Sequence, residues 1–401
     1  MHQVLSERIE KMAESATLAM SQQTQALQAQ GYDVCDLGIG EPYFPTPAYI
    51  QQAAKEAIDS GAYFGYPPIA GYMDLREAIA QKLYAENKII CKPSQVIVST
   101  GAKQSLANLF LCLLNPGDEV IVYTPYWVTY ASLIELAGGK PIFLKGKQED
   151  NFEPTAEQLE QAITLKTKAI IFSSPCNPTG LVLSRSSLLA MADVLGRHQQ
   201  VLVIADEIYE YIHFMGSHTS IGSLAAIQDR VITVNGFSKG FAMTGWRVGY
   251  LAAPVWLAKA CEKIQGQLTS ATCSIAQRAA LAALTGNKAA LQDRMVTYCQ
   301  LRELAMQLLG ALPGFKFNKP WGAFYLFPDI SHYFGYTDGT ITIRNAHDFC
   351  LYILREARVA LVAGDSFGEP RCIRLSYAVP AKTLQKGIQR MAQVIQHLKP
   401  S

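Results

Sequence analysis

Residues 168–209 read KAIIFSSPCNPTGLVLSRSSLLAMADVLGRHQQVLVIADEIY. Two apolar runs, KAIIFSSP and VLVIADE, bracket a helix-like segment, SRSSLLAMADVLGRH. Strand, helix and strand in succession predict two parallel strands joined by a covering helix. Runs this continuously apolar suit strands buried on both faces.

The same rhythm extends outward. QVIVST, EVIVYTP, RVITVNG and RVGYLAAP supply further runs between about residue 95 and about residue 255, and AKQSLANLFLCLL is another helix-like stretch. The expectation is an α/β fold, a largely parallel sheet of about seven strands covered by helices. Right-handed crossovers would bring the carboxyl ends of several strands to one edge, where ligands of such sheets bind. After about residue 290 the pattern changes. A long helical stretch, NKAALQDRMVTYCQLRELAMQLLGAL, leads to GAFYLFPDI, HDFCLYILREA, VALVAG, CIRLSYA and KTLQKGIQRMAQVIQHL. That reads as a smaller α+β domain, joined by the helix and YDVCDLGIGEP of the first forty or so residues. The expected boundaries are 1–45 for the N-terminal arm and its share of the small domain, 46–290 for the large domain and 291–401 for the rest of the small one.

Composition narrows the function classes. The 401 residues suffice for one large and one smaller domain. Apolar residues at 49% and charged residues at 17% exclude a disordered chain. A formal net charge of +2 without blocks of like charge argues against nucleic acid or a membrane surface as partner. Nine scattered cysteines with no C-x-x-C pair point to neither a disulfide framework nor a zinc knuckle, so reduced thiols in a cytoplasmic protein are expected. The N-terminal MHQVLSERIEKMAES is charged where a signal peptide needs an apolar run, and LANLFLCLL is too short to span a membrane.

The residues just past each strand are the ones to watch. VIVSTGAKQSL places Gly101, Ala102 and Lys103 where a strand turns into a helix, a place suited to an anion. Tyr126 and Trp127 follow the next strand, Asn177 sits in a Pro-bounded loop, and VLVIADEIY ends in Asp206 with Tyr209 three residues on. VITVNGFSK ends at Lys239, with Arg247 eight positions later. Singly, each has an ordinary explanation as a cap, a turn former, a core aromatic or a solvated charge. Together they suit one ligand, pyridoxal phosphate. It needs an anion cradle, a carboxylate for its ring nitrogen, a surface to stack on and an amine for its aldehyde. Lys239 would supply the amine and Arg247 a bidentate phosphate contact.

At these residues the chain resembles the fold-type-I aminotransferases, and more narrowly the aspartate aminotransferase group. LGIGEP, YPPIAG, TGAKQSL, PYWVTY, SPCNPTG, ADEIYE, NGFSKGFAMTGWRVGY, GAFY and IRLSYA carry the resemblance in the family's order over nearly the whole chain. It implies that Lys239 holds the cofactor covalently and moves the substrate's alpha proton, that Asp206 pairs with the ring nitrogen, and that Asn177 and Tyr209 bond the phenolic oxygen. Trp127 would stack on the ring, while Gly101, Ala102, Ser238 and Arg247, with the adjoining Lys103, would surround the phosphate. Tyr66 resembles a tyrosine that reaches a neighbouring subunit's phosphate, which implies a homodimer with shared sites. Arg374, helped by Gly40, would take the substrate's alpha-carboxylate. Trp127 and Asn177 would also border the substrate. Lys103, with Ser15 and Thr17 of ESATLAM, would meet a distal carboxylate.

The resemblance therefore implies aspartate and 2-oxoglutarate as substrates in a ping-pong cycle. Prephenate as acceptor, or a broader aromatic and acidic range, is the alternative. Substrate binding between Arg374 and Lys239 would favour domain closure. Three positions depart from the family pattern: Gly236 stands where a phosphate-binding Ser is common, Tyr43 where an acidic residue is common, and Gly65 where a basic one is frequent. A pyridoxal phosphate lyase fits less well with two carboxylate-binding cations, and a ligand-sensing regulator would carry a DNA-binding domain. No G-x-G-x-x-G follows the first strand and no G-x-x-x-x-G-K-[ST] is present, so dinucleotide and P-loop readings fail.

Overall fold

The computed structural model describes residues 4–10, 12 and 16–400. Its main sheet has seven strands: β1 (Val96–Ser99), β2 (Glu119–Thr124), β3 (Lys140–Lys145), β4 (Thr167–Ser173), β5 (Leu202–Asp206), β6 (Val231–Gly236) and β7 (Gly249–Ala252). Their spatial order is β1-β7-β6-β5-β4-β2-β3. Strands β2 to β6 pair in parallel, and β7 runs antiparallel to both β6 and β1.

Alternation along each strand feeds two cores, one per face. Val120, Val122, Ile171 and Ile204 pack with Leu106, Leu109 and Phe110 of the helix Ala102–Leu113. Ile121, Ile170, Val203 and Ala205 pack with Leu188, Met191 and Leu195 of the helix Arg185–Arg197. Each fully buried aliphatic side chain contributes roughly 1.5–3 kcal/mol. Ser184 starts the second helix by accepting the Ser187 N–H at 3.0 Å.

Strand β3 has no counterpart among the sequence-based runs. It is an edge strand, with Pro141 and lysines at both ends and most of its residues partly or fully exposed. Edge strands use such residues to discourage further pairing, and that erases the apolar signal. The apolar run VALVAG is divided between two pairings. Val359–Ala360 pairs with Cys35–Asp36, whereas Val362–Ala363 pairs with Ile373–Ser376, which in turn pairs with Tyr325–Leu326.

A further core joins Met20, Cys35 and Leu37 to the helices Ala289–Gly310, Ala346–Ala357 and Ala381–Ile395. Register then sets the site. Ser173 faces Asp206, Asp206 faces Val234, and Gly249 faces both Gly236 and Ser99. The carboxyl ends of β1, β4, β5 and β6 thus share one edge with the start of β7.

Candidate active site

A cavity of about 560 Å³ opens at that edge, between the sheet and the core built from the two chain ends. From the sheet side come Ala102, Lys103, Trp127, Asn177, Asp206, Tyr209, Ser238, Lys239 and Arg247; Gly38, Gly40, Glu41, Tyr325 and Arg374 face them.

At one end, Gly101 has φ +82° and caps the helix Ala102–Leu113. A Cβ there would lie 2.3 Å from Arg247 Nη2, and a Cβ on Gly249 would lie 2.3 Å from the Ala102 nitrogen. Two missing side chains therefore let a guanidinium lie against a helix N-terminus. That pairing of positive ends favours an anion. Arg247 has φ 55° and donates to the Thr244 carbonyl at 2.9 Å; among the described residues no carboxylate pairs with it. Gly236 has its own steric reason. A Cβ on it would stand 2.9 Å from Gly249 Cα and 3.0 Å from the Val248 oxygen, so a serine does not fit between β6 and β7 without a shift.

Mid-cavity, the buried Asp206 accepts the Tyr130 hydroxyl at 2.6 Å on one oxygen and the Ile208 N–H at 3.2 Å on the other. Burial pushes its carboxyl from 3.8 up to about 6, against the pull of those two donors. Lys239 Nζ donates to the Gly40 carbonyl at 2.5 Å and lies 5.8 Å from the centre of the Tyr209 ring. Burial lowers its ammonium from 10.5 to about 8; nearby Glu41 opposes this, while Arg374 and Arg247 add to it.

At the far end Arg374 is 3% exposed. It donates to Asn177 Oδ1 at 3.0 Å and the Gly38 carbonyl at 2.7 Å, and among the described residues its Nε has no partner. The rings of Tyr325 and Phe367 flank the guanidinium at 4.6 and 5.0 Å. Among the described residues no carboxylate pairs with Arg374, so the structural ion pair that would make it inert is absent there. A buried guanidinium left this way is suited to an incoming carboxylate.

The family model described as aminotransferase class I and II matches residues 32–391. The chain belongs to this family. It is 44% identical, over 99% of its length and 84% of the relative's, to a Petunia hybrida protein named bifunctional aspartate aminotransferase and glutamate/aspartate-prephenate aminotransferase. An aspartate aminotransferase structure from Rhizobium meliloti superposes with a TM-score of 0.95 at 36% identity, covering 99% of this chain and 100% of that one. The Thermus thermophilus aspartate aminotransferase with maleate gives 0.92 at 38% identity, covering 98% and 100%.

In this aminotransferase the cavity gathers Gly40, Ala102, Lys103, Trp127, Asn177, Asp206, Tyr209, Ser238, Lys239, Arg247 and Arg374, with Gly101 directly behind Arg247. Lys103 Nζ lies 5.2 Å from the Trp127 ring centre, and burial, then Arg247, holds its ammonium below the usual range. Tyr66 does not reach the cavity and is 96% exposed. Ser15 lies outside the described residues, and only the backbone of Thr17 is described; Met20, Ser21 and Gln25 of the same helix, Ala16–Ala29, line the cavity. Tyr126 turns away and stacks on Phe143 at 5.1 Å. Tyr130 and Tyr325 were not among the expected site residues, although PYWVTY and GAFY contain them. Tyr325 exchanges a hydroxyl contact of 2.8 Å with Tyr209.

Proposed function

We propose that this aminotransferase is an aspartate aminotransferase, transferring the amino group of L-aspartate to 2-oxoglutarate with pyridoxal phosphate as cofactor. One observation carries the reading: Lys103, Lys239, Arg247 and Arg374 surround a single cavity around the buried carboxylate Asp206. That is one cation for a phosphate, one amine, and two cations for a dicarboxylate. The names of the relatives support the same substrates. Prephenate as acceptor is the second reading, supported by the Petunia relative's name and by space in the cavity for a ring.

The donor set fits the cofactor. The Gly101 hollow, the helix N-terminus, Ser238 and Arg247 would take the phosphate, and Trp127 would cover the ring. Asp206, buried and without a cationic hydrogen-bond partner among the described residues, would take the ring nitrogen. Asn177 gives its oxygen to Arg374, which leaves its NH2 free for the phenolic oxygen beside Tyr209. Bound pyridoxal phosphate supplies an aldehyde that an amine can capture and a ring that withdraws electrons from the substrate's alpha carbon.

The chain's own groups supply the rest. Arg374 holds the alpha-carboxylate and Lys103 the distal one, which fixes the alpha C–H toward Lys239. Burial lowers the Lys239 ammonium, so the neutral amine that would take the alpha proton as a base is easier to form than on an exposed lysine. Closing the cavity would exclude water from that transfer. We also propose a large domain over residues 46–290 and a small one from 1–45 and 291–401, a homodimer in which Tyr66 serves the neighbouring site, and a cytoplasmic location. Nine unpaired thiols suit that location. No described helix is long and apolar enough to cross a membrane.

The test is the visible spectrum of the reconstituted protein, titrated with aspartate and then phenylalanine, for the parent and Lys103→Ala. The parent band should respond at a much lower aspartate concentration. Lys103→Ala should lose about tenfold or more with aspartate and little with phenylalanine, the scale of one charge-assisted contact. Equal losses on both amino acids would remove Lys103 from substrate choice.

A further inference from the structure

We propose that Tyr130 is a positioning residue for Asp206, its hydroxyl fixing the orientation and charge of the carboxylate that meets the cofactor's ring nitrogen. The inference rests on the reading of Asp206 given above. Among the described residues Tyr130 provides the one side-chain hydrogen bond to Asp206, a 2.6 Å contact between groups 1% and 2% exposed. The other carboxylate oxygen takes the Ile208 N–H. Each oxygen is thus anchored once, by a donor from a residue that itself borders the cavity.

The anchor's ring sits in an apolar core, while Ser173 and Cys176 stand beside its hydroxyl. Tyr130 lies in the first turn of the helix Thr129–Leu136 and packs in the core that holds Ile204 and Leu106. Its ring meets Trp127 edge-on, at 5.7 Å and 88°. One short segment after β2 therefore presents both the indole that would cover the cofactor ring and the hydroxyl behind the carboxylate. A phenylalanine would fill the same core, so only the hydrogen bond distinguishes the two residues.

Charge gives the hydroxyl its task. Burial favours a neutral Asp206, and a neutral carboxyl cannot pair with a pyridinium. Four other titratable groups bear on the pair. Glu207 favours the neutral form of Asp206 and Lys239 the charged form, while Cys176 and Tyr209 also face it. A hydrogen bond donated to the ionised form favours that form. Tyr130 supplies it without bringing a charge into the site.

The experiment compares apoenzyme affinity for pyridoxal phosphate with affinity for the analogue carrying carbon in place of the ring nitrogen. Tyr130→Phe should bind pyridoxal phosphate about tenfold more weakly, the scale of one hydrogen bond to a charged group. It should bind the analogue as the parent does. The pH below which pyridoxal phosphate affinity declines should also move upward in Tyr130→Phe, because an undonated carboxylate takes up its proton sooner. Equal weakening toward both ligands would make Tyr130 a packing residue, and unchanged affinity for both would overturn the proposal. Asp206→Ala separates the two levels. If it binds pyridoxal phosphate as the parent does, the reading of Asp206 itself falls. If it loses affinity while Tyr130→Phe does not, only the role of Tyr130 falls.

Discussion

Gly101 and Arg247 compete for one space: a Cβ on the glycine would stand 2.3 Å from Nη2 and 2.9 Å from Cζ of the arginine. Gly101→Ala therefore meets two penalties. Its φ of +82° is costly for any residue with a Cβ, on the order of 1–3 kcal/mol, and the guanidinium must move as well. The expected outcome is a drop in pyridoxal phosphate affinity of roughly a hundredfold, the scale of one displaced charge-assisted contact plus the strain. Fluorescence titration of the apoenzyme measures it, and parental affinity would show that Arg247 does not serve the phosphate.

Lys239 sets a pH dependence with a definite sign. Its ammonium is lowered from 10.5 to about 8, chiefly by burial, and only the neutral amine captures an aldehyde. The rate at which apoenzyme captures pyridoxal phosphate should therefore rise with pH through a midpoint near 8, well before an ordinary lysine would respond. Stopped-flow absorbance gives the profile. Lys239→Ala should show no covalent adduct by mass after borohydride reduction. Its turnover should fall by on the order of 10⁴, the upper range for a positioned proton-transfer group. A pH midpoint near 10.5 would mean that the amine is solvated in the free protein.

Lys82 offers a stability test remote from the chemistry. It is 5% exposed, ion-paired with the equally buried Glu210, and bonded to Asn87 Oδ1 at 2.7 Å. Asn87 in turn donates to Glu210 at 2.8 Å and Glu207 at 3.2 Å, and Ser220 donates to Glu207 at 2.5 Å. Lys82→Met strands Glu210 without its cation and should cost about 3–5 kcal/mol in urea melts at pH 7. Adding Glu210→Gln should recover most of that loss. Burial works to raise the Glu210 carboxyl, but its surroundings, Lys82 first, hold it below the ordinary 4.5. The parent's advantage over the double variant should therefore be complete above 4.5 and fade as pH falls below it.

Legibility in the sequence followed burial. Six strands of the sheet stood out because both their faces are covered, which leaves apolar runs. Strand β3 did not, because Lys140, Pro141 and Lys145 serve an exposed edge. In the site, residues directly past strands were visible, since strand ends are where a parallel sheet gathers ligands. Tyr130 and Tyr325 were not. Tyr130 meets Asp206 across 76 residues of chain, and Tyr325 meets Tyr209 across 116, so no local spacing signals either contact. Gly236 shows the reverse case. Its departure from the family pattern was plain in the sequence, but its cause, the close approach of Gly249 and Val248, is visible only in three dimensions.

Tyr66, at 96% exposure, tests the shared-site dimer. A tyrosine so exposed touches nothing in its own cavity, yet the resemblance gives it a role at a neighbour's phosphate. If that role holds, Tyr66→Ala and Lys239→Ala damage different chains of the same site. Each variant alone should be weak or inactive at limiting cofactor. Unfolded together and refolded as a mixture, they should recover about a quarter of the parental activity, because half of random two-fold pairs are mixed and each mixed pair rebuilds one of two sites. Native mass spectrometry reports how many mixed pairs form. Mixed pairs without recovered activity would place Tyr66 outside the neighbour's site, and a monomeric parent would remove the shared site altogether.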